Sequence, residues 1–219
     1  MSVQVKLSSS ADENVTFEEP FLILVEGGDD QAVVAAMVRH EKLENFRVHN
    51  MFGKASWTAR AAVIAKAPEF VTNVKAMGLV RDSDNDPNAA WDSCVSALKA
   101  CSFPVPAKSA LSASGQRSAA ILIVPARDEQ GAIEELCAKS FDPDRLACVD
   151  SYYACLGAAG VSPNSSKGRS QAYLAGLRSA PRDLAVAASR GLLDMTHESF
   201  DELRAFVHSL ATSAPGHES

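Results

Sequence analysis

The fold of this chain is decided by the stretch Phe21-Leu22-Ile23-Leu24-Val25-Glu26-Gly27-Gly28-Asp29-Asp30, in which an apolar run changes abruptly into acid and glycine. Five apolar residues are too few to cross a membrane and are typical of a strand buried on both faces of a parallel sheet. Glu26 then lies at the carboxyl end of that strand, where ligands collect in open α/β sheets. The two glycines allow a tight turn, and Asp29 or Asp30 can cap the helix predicted at 31–39.

A second stretch repeats this design. The short apolar strand Ala76-Met77-Gly78-Leu79-Val80 runs directly into Arg81-Asp82-Ser83-Asp84-Asn85-Asp86-Pro87. Residues two apart in an extended chain point the same way, so Asp82 and Asp84 are expected to aim at one point. Crowded carboxylates repel one another unless a cation or a proton lies between them. Hard oxygen ligands favour Mg²⁺ or Mn²⁺, and we therefore predict a divalent cation held by Glu26, Asp82 and Asp84.

The rest of the chain alternates strand and helix patterns before it becomes helical. Residues 46–52 roughly alternate apolar and polar side chains, a helix is predicted over 56–67, Asp86-Pro87 starts another helix, and Ala120–Val124 is a further buried strand. This order predicts an α/β fold with a central, mostly parallel sheet flanked by helices. We expect a leader at 1–19, an α/β core at 20–141, a helical C-terminal cap at 142–211 and a disordered tail at 212–219.

The composition limits the partners of the protein. The net charge is −6 and the sequence pI is about 5.4, which argues against tight, sequence-independent binding to nucleic acid. It does not exclude an enzyme whose metal ions offset its own acids. The first twenty residues are polar, with no signal peptide, and no cysteines form a Cys-x-x-Cys pair. We expect a cytoplasmic protein with no membrane partner, and we leave a partner protein or a homo-oligomer open.

Taken together, Val25-Glu26-Gly27 with acids just after it, and a strand ending in Asp-x-Asp about fifty residues later, resemble the TOPRIM domain. That domain is shared by topoisomerases, bacterial primases and OLD-type nucleases. The resemblance is closest to a stand-alone bacterial TOPRIM-like group, and it covers most of the chain by continuing through Gly53-Lys54, Ile121–Pro125, Gly131–Glu134 and the 148–177 region. It implies a Rossmann-type layered fold and Mg²⁺-dependent or Mn²⁺-dependent chemistry on phosphodiester bonds, as in a nuclease.

The resemblance also implies roles for single residues. Glu26, Asp82 and Asp84 would hold the metal and carry the catalysis, and Glu26 would in addition serve as general acid or base. Glu134 resembles a recurrent acid of the related group, because it follows a glycine after the fourth strand, and it would complete the cluster. These assignments make an acidic metal site the main functional prediction from the sequence.

Other positions have two readings each. Asp30 either binds a second ion or caps a helix, and Asp86 either joins the metal site or is the N-cap before Pro87. Related sequences usually have a lysine where this chain has Gly28, so a basic group expected beside the acids is missing. Lys54 or Arg81 would then contact substrate phosphate instead.

A second function, from a different class, is compatible with the same residues. The acidic net charge and the missing lysine favour a catalytically weak metal-binding or nucleotide-binding regulatory module that acts with a partner protein. The two functions differ in one observable property, because only the enzyme turns over a phosphodiester substrate.

Overall fold

Six strands form one sheet among the residues that the computed structural model describes, which are 3–8, 16–53, 57–107, 112–114, 116–160 and 166–212. The strands are β1 Lys6–Leu7, β2 Phe21–Val25, β3 Phe46–Asn50, β4 Ala76–Asp82, β5 Ser112–Ser114 and β6 Arg117–Val124. Their order across the sheet is β1-β3-β2-β4-β6-β5, and all are parallel except β5, which is antiparallel to β6. Every residue of β2 is buried, as expected for a central parallel strand covered on both faces.

Helices cover both faces of this sheet. They are α1 Gly28–His40, α2 Trp57–Ile64, α3 Pro68–Asn73, α4 Pro87–Ala100, α5 Ile133–Ala138, α6 Pro143–Ala158, α7 Ser166–Ala175, α8 Leu184–Ser189 and α9 Asp201–Thr212. Alternate side chains of β2 enter two separate cores. Ile23 and Val25 pack on the face covered by α1 and the C-terminal helices, whereas Leu22 and Leu24 pack on the face covered by α2, α3 and α4.

The topology places a crevice beside β2. From β2 the chain passes through α1 to β3 on one side, and it then returns through α2 and α3 to β4 on the other side. The direction of the crossovers therefore reverses between β2 and β4, and the two helical connections lie on opposite faces. In such sheets the crevice at the carboxyl ends of the two strands is where ligands bind. Val25 pairs with Val80, so the residues that follow these strands are neighbours.

The predicted α/β class, with a mostly parallel sheet flanked by helices and a helical C-terminal part, is confirmed. One detail differs, since β3 ends at Asn50 rather than continuing to residue 52. The segment at 1–19 contains the edge strand β1. The predicted disordered tail lies outside the described residues apart from Thr212, which ends α9. Within the described ranges, no helix has the length and apolar character needed to span a membrane.

The glycine in the middle of β4 sets how closely α9 packs on the sheet. A Cβ atom at Gly78 would lie 2.6 Å from both Leu210 Cδ1 and Phe206 Cζ. We predict that Gly78→Val lowers the free energy of unfolding by about 1–3 kcal/mol, because overfilling a close-packed core forces side chains away from their preferred conformations. Thermal unfolding measures this as a loss of about 2–4 °C in Tm for each kcal/mol.

Gly157→Ala is the matched control for that substitution. Gly157 lies in α6, and a Cβ atom there meets nothing within 4 Å. Alanine is the better helix former, so the Tm of this variant is expected to stay the same or to rise. A Gly78→Val variant as stable as the wild type would show that α9 does not depend on this close approach.

Candidate metal centre

Acidic side chains from separate elements line one cleft at the carboxyl ends of β2 and β4. Glu26 follows β2 directly, Asp30 is in the first turn of α1, Asp82 ends β4, and Glu134 is in the first turn of α5. We call these residues the carboxylate cluster. The cleft has a volume of about 460 Å³ and is lined in addition by Gly27, Gly28, Asp29, Asn50, Phe52, Gly53, Ile133 and Lys167.

Backbone amides hold two members of the carboxylate cluster. Asp30 Oδ2 accepts a hydrogen bond from Gly27 N at 3.0 Å, and Asp82 Oδ1 accepts one from Ile133 N at 2.9 Å. The second bond ties the end of β4 to the start of α5, and this places Glu134 on the same cleft. Asp30 Oδ1 is buried and has no hydrogen-bond partner within the described part of the chain. An oxygen in that position is expected to have a ligand.

Burial and mutual repulsion raise the affinity of the cluster for protons. Burial raises the pKa of Asp82 to about 9, and the charges of Asp30, Glu26 and Glu134 act in the same direction. Burial, followed by the charge of Glu26, raises the pKa of Asp30 to about 7, and burial also raises the pKa of Glu134. Without a cation, the cluster therefore keeps protons at neutral pH.

Arg81 lies behind the cluster rather than in the cleft. Adjacent residues of a strand point to opposite faces, so Arg81 and Asp82 diverge at the end of β4. The Arg81 guanidinium lies 5.1 Å from the centre of the Trp57 ring, and its Nη1 lies 3.8 Å from Glu26 Oε2. Arg81 is 7% exposed. This position does not support the predicted contact with substrate phosphate; Arg81 instead supplies a buried positive charge beside Glu26.

The structure does not bring Asp84 and Asp86 into the carboxylate cluster. The chain turns at Asp84, which is exposed, has a φ of +47° and pairs through its backbone with Gly131 at 2.8 and 2.9 Å. The chain is therefore not extended at Asp84, and the alternation on which the common direction of Asp82 and Asp84 was predicted ends with β4. Asp86 accepts hydrogen bonds from two backbone amides of the first turn of α4, so it is the N-cap of that helix. A role for either residue in metal binding stays a prediction.

A lysine that the sequence does not connect with the acids also lines the cleft. Lys167 Nζ, near the start of α7, lies 3.0 Å from Asp29 Oδ2, although the two residues are 138 positions apart. Asp29 Oδ1 accepts a further hydrogen bond from Ala185 N at 3.0 Å, so Asp29 joins α1 to both α7 and α8. Lys167 thus supplies a cation next to Gly28, where the expected lysine is missing. Lys54, a predicted substitute, lies outside the described residues.

The donor chemistry of the carboxylate cluster fits a hard divalent cation, but the ligands are not preassembled. Carboxylate oxygens are the preferred ligands of Mg²⁺ and Mn²⁺. As the described side chains stand, no group of three or more His, Cys, Asp or Glu residues is placed to hold a metal ion. Binding therefore requires the carboxylates to draw together, with their protons displaced.

Comparison with known proteins assigns the chain to a family. Residues 20–212 match the model of a family described as "Protein of unknown function (DUF3226)". The chain belongs to the DUF3226 family. No curated protein matches this DUF3226 chain. A solved structure of the C-terminal region of the OLD protein of Xanthomonas campestris pv. campestris is similar to it at 12% identity and a TM-score of 0.39, covering 88% of this chain and 98% of that one. A likeness this distant carries no argument, and the TOPRIM resemblance stays a prediction.

The raised pKa values mean that the cluster lowers the free energy of unfolding of the metal-free protein at neutral and higher pH. Between Asp82's usual pKa of 3.8 and its folded pKa of about 9, the unfolded chain ionises this group while the folded chain keeps the proton. Stability that is fully present below pH 3.8 is thus lost as the pH rises towards 9. We predict that Asp82→Asn raises the free energy of unfolding of the metal-free protein at pH 8 by at least about 1 kcal/mol, with little effect at pH 4.

Denaturant unfolding at a series of pH values in EDTA measures this difference. Asp86→Asn is the matched control, because asparagine caps a helix as well as aspartate and residue 86 is exposed. This control should unfold with the pH dependence of the wild type. An Asp82→Asn variant that is destabilised equally at every pH would contradict the assignment of a proton to Asp82.

Proposed function

We propose that this DUF3226 protein binds Mg²⁺ or Mn²⁺ at the carboxylate cluster and hydrolyses phosphodiester bonds of nucleic acid, as a nuclease. The observation that carries the proposal is the burial of like-charged acids at the topological crevice between β2 and β4. Asp30 and Asp82 have raised pKa values there, and Asp30 Oδ1 is buried without a hydrogen-bond partner within the described residues. A fold gains nothing in stability from such a cluster, so a function for it is the better explanation.

Each side chain of the cleft then has a distinct task. A bound divalent cation would polarise the phosphate and lower the pKa of an attacking water. Glu26, Asp30, Asp82 and Glu134 would hold it. Arg81 keeps Glu26 beside a fixed positive charge. Glu26 would in addition take or give a proton as general base or acid. Asp84, Asp86 and Lys54 keep their sequence-based roles as predictions only.

Lys167 is the described cation best placed for a substrate phosphate. Its side chain is 57% exposed, whereas that of its partner Asp29 is 15% exposed. Asp29 is also held by Ala185 N, so it stays in place when the lysine moves. An anionic substrate in the cleft would share Lys167 Nζ with Asp29 or draw it to a phosphate oxygen, since Asp29 keeps its hydrogen bond from Ala185 N when the lysine moves.

A second candidate function is a regulatory module that binds a metal or nucleotide, has little activity of its own and acts with a partner protein. One observation favours it: within the described residues, no three acidic, His or Cys side chains are preassembled for a metal ion. A partner or substrate that drew the carboxylates together would then be needed for tight metal binding. The enzyme is our first choice, because raised pKa values at a ligand-binding crevice are typical of catalytic sites.

We predict that Mn²⁺ and Mg²⁺ bind to the protein and support cleavage of circular single-stranded DNA. Asp82→Asn and Glu26→Gln should abolish both, since each removes an anionic ligand. Isothermal titration calorimetry measures binding, and gel electrophoresis measures the conversion of circles to linear and shorter strands. Asp92→Asn is the control, because Asp92 is exposed on α4 and does not line the cleft, and this variant should keep wild-type binding and cleavage.

The two candidate functions separate in this experiment. Metal binding that depends on Asp82, without cleavage of DNA or RNA, would support the regulatory module and contradict the nuclease proposal. Absence of metal binding to the wild type, with and without an oligonucleotide, would contradict both functions.

The second prediction from the cleft concerns Lys167. Lys167→Met should lower kcat/KM for cleavage by about 10- to 100-fold, the usual effect of removing a hydrogen bond to a charged group, while the Kd for Mn²⁺ stays within a few-fold of the wild type. Lys167→Arg keeps the charge and should restore most of the activity. Loss of metal binding in Lys167→Met would show instead that Lys167 holds the cluster together through Asp29.

A further inference from the structure

The rim of the cleft carries an exposed aromatic ring in an unusual backbone conformation. Phe52 lines the cleft, directly after the turn that ends β3, and it is 37% exposed. Its φ is +53°, in the left-handed region that bulky residues rarely adopt. Burial of the ring does not offset this strain, because more than a third of the side chain faces solvent. Strained residues that the surrounding structure holds in place are typical of functional sites.

Hydrogen bonds fix this loop on both sides of Phe52. Met51 N donates to Val25 O at 2.8 Å, and Gly53 N donates to Glu26 O at 3.0 Å, so the loop follows the end of β2. Phe52 N donates to Asn50 Oδ1 at 2.7 Å. The backbone of the loop that carries Phe52 is thus held beside the backbone of Glu26, a member of the carboxylate cluster.

A positive charge accompanies the ring. The Arg60 guanidinium, on α2, lies 5.6 Å from the centre of the Phe52 ring, which is a cation–π distance. The guanidinium lies over one face of the ring, so a base would stack on the other face with the cation close by. Proteins that hold single-stranded nucleic acid combine these two features, with bases stacked on the ring and phosphates near the cation.

We propose that Phe52, with Arg60 beside it, is the platform on which an unpaired base of a single-stranded nucleic acid stacks when the adjacent phosphate lies at the carboxylate cluster. This inference rests on the proposed function and narrows its substrate. Only an unpaired base can offer its face to a side chain, since bases of a duplex are stacked on one another. A net charge of −6 also suits a short contact with one strand better than the wide basic surface that a duplex requires.

Fluorescence anisotropy can test the platform apart from catalysis. The probes are a labelled ten-nucleotide thymidine strand and an abasic strand of the same length, both in Ca²⁺, which binds oxygen ligands. We expect the wild type to prefer the thymidine strand by about 5- to 150-fold, the usual value of one base stacked on an aromatic side chain. Phe52→Ala should bind both strands equally, and Phe52→Trp should keep the preference.

Two further variants separate stacking from folding. Phe52→Gly should lose the preference for bases while its Tm stays equal to or above that of the wild type, because glycine adopts a positive φ without strain. Tyr152→Ala removes another exposed aromatic residue, which lies on α6 and does not line the cleft, and it should leave the preference for bases unchanged.

Several results would overturn the proposal: a base preference that survives in Phe52→Ala, a wild type that binds neither strand or binds both alike, or a duplex of the same sequence bound as tightly as the single strand. The cleavage assay tests the nuclease proposal separately from the stacking proposal. A wild type that prefers the thymidine strand but never cleaves it would end the nuclease proposal and leave the platform standing.

Discussion

One electrostatic constraint governs the cleft, because acidic side chains of like charge lie buried or partly buried together at the carboxyl ends of β2 and β4. The sheet itself creates the constraint, because parallel strands direct their last residues to one edge and the crossovers open a crevice there. Asp82 and Asp30 have raised pKa values, which allows them to keep protons, and Glu26 lies beside the positive charge of Arg81. Protons and a buried arginine reduce this repulsion, and the proposed divalent cation would reduce it further.

The surrounding helices are arranged in a way that favours negative charge in the cleft. Asp30 and Glu134 both belong to first turns, at the end of a helix where the backbone dipole is positive. Asp29 extends this arrangement by joining α1 to α7 and α8, so the C-terminal helices are bound to the same edge of the sheet. The helical half therefore contributes to the cleft directly, through Lys167, and does not merely cover the core.

The sequence predicted the parts of the site that lie on regular elements. Glu26 and Asp82 follow apolar runs that could only be buried strands, and a strand end has a known place in a parallel sheet. The position of Asp84 was less predictable, because alternation ends with the strand and the backbone is left-handed at that residue, so its role in metal binding stays a prediction. Lys167 could not be assigned, since its contact with Asp29 arises from tertiary packing. The position of Phe52 at the cleft could not be predicted for a related reason. Its side chain type continues the alternating pattern of β3, but the strand ends at Asn50 and the backbone of Phe52 is left-handed.

Anomalous diffraction from crystals soaked in Mn²⁺ tests the central claim most directly, because it locates the ion without reference to activity. The account predicts an anomalous peak within about 2.0–2.4 Å of oxygens from Asp82 and at least one of Glu26, Asp30 and Glu134, with Asp30 Oδ1 no longer without a partner. A peak at Asp84 or Asp86 alone, or none at saturating Mn²⁺, would contradict it.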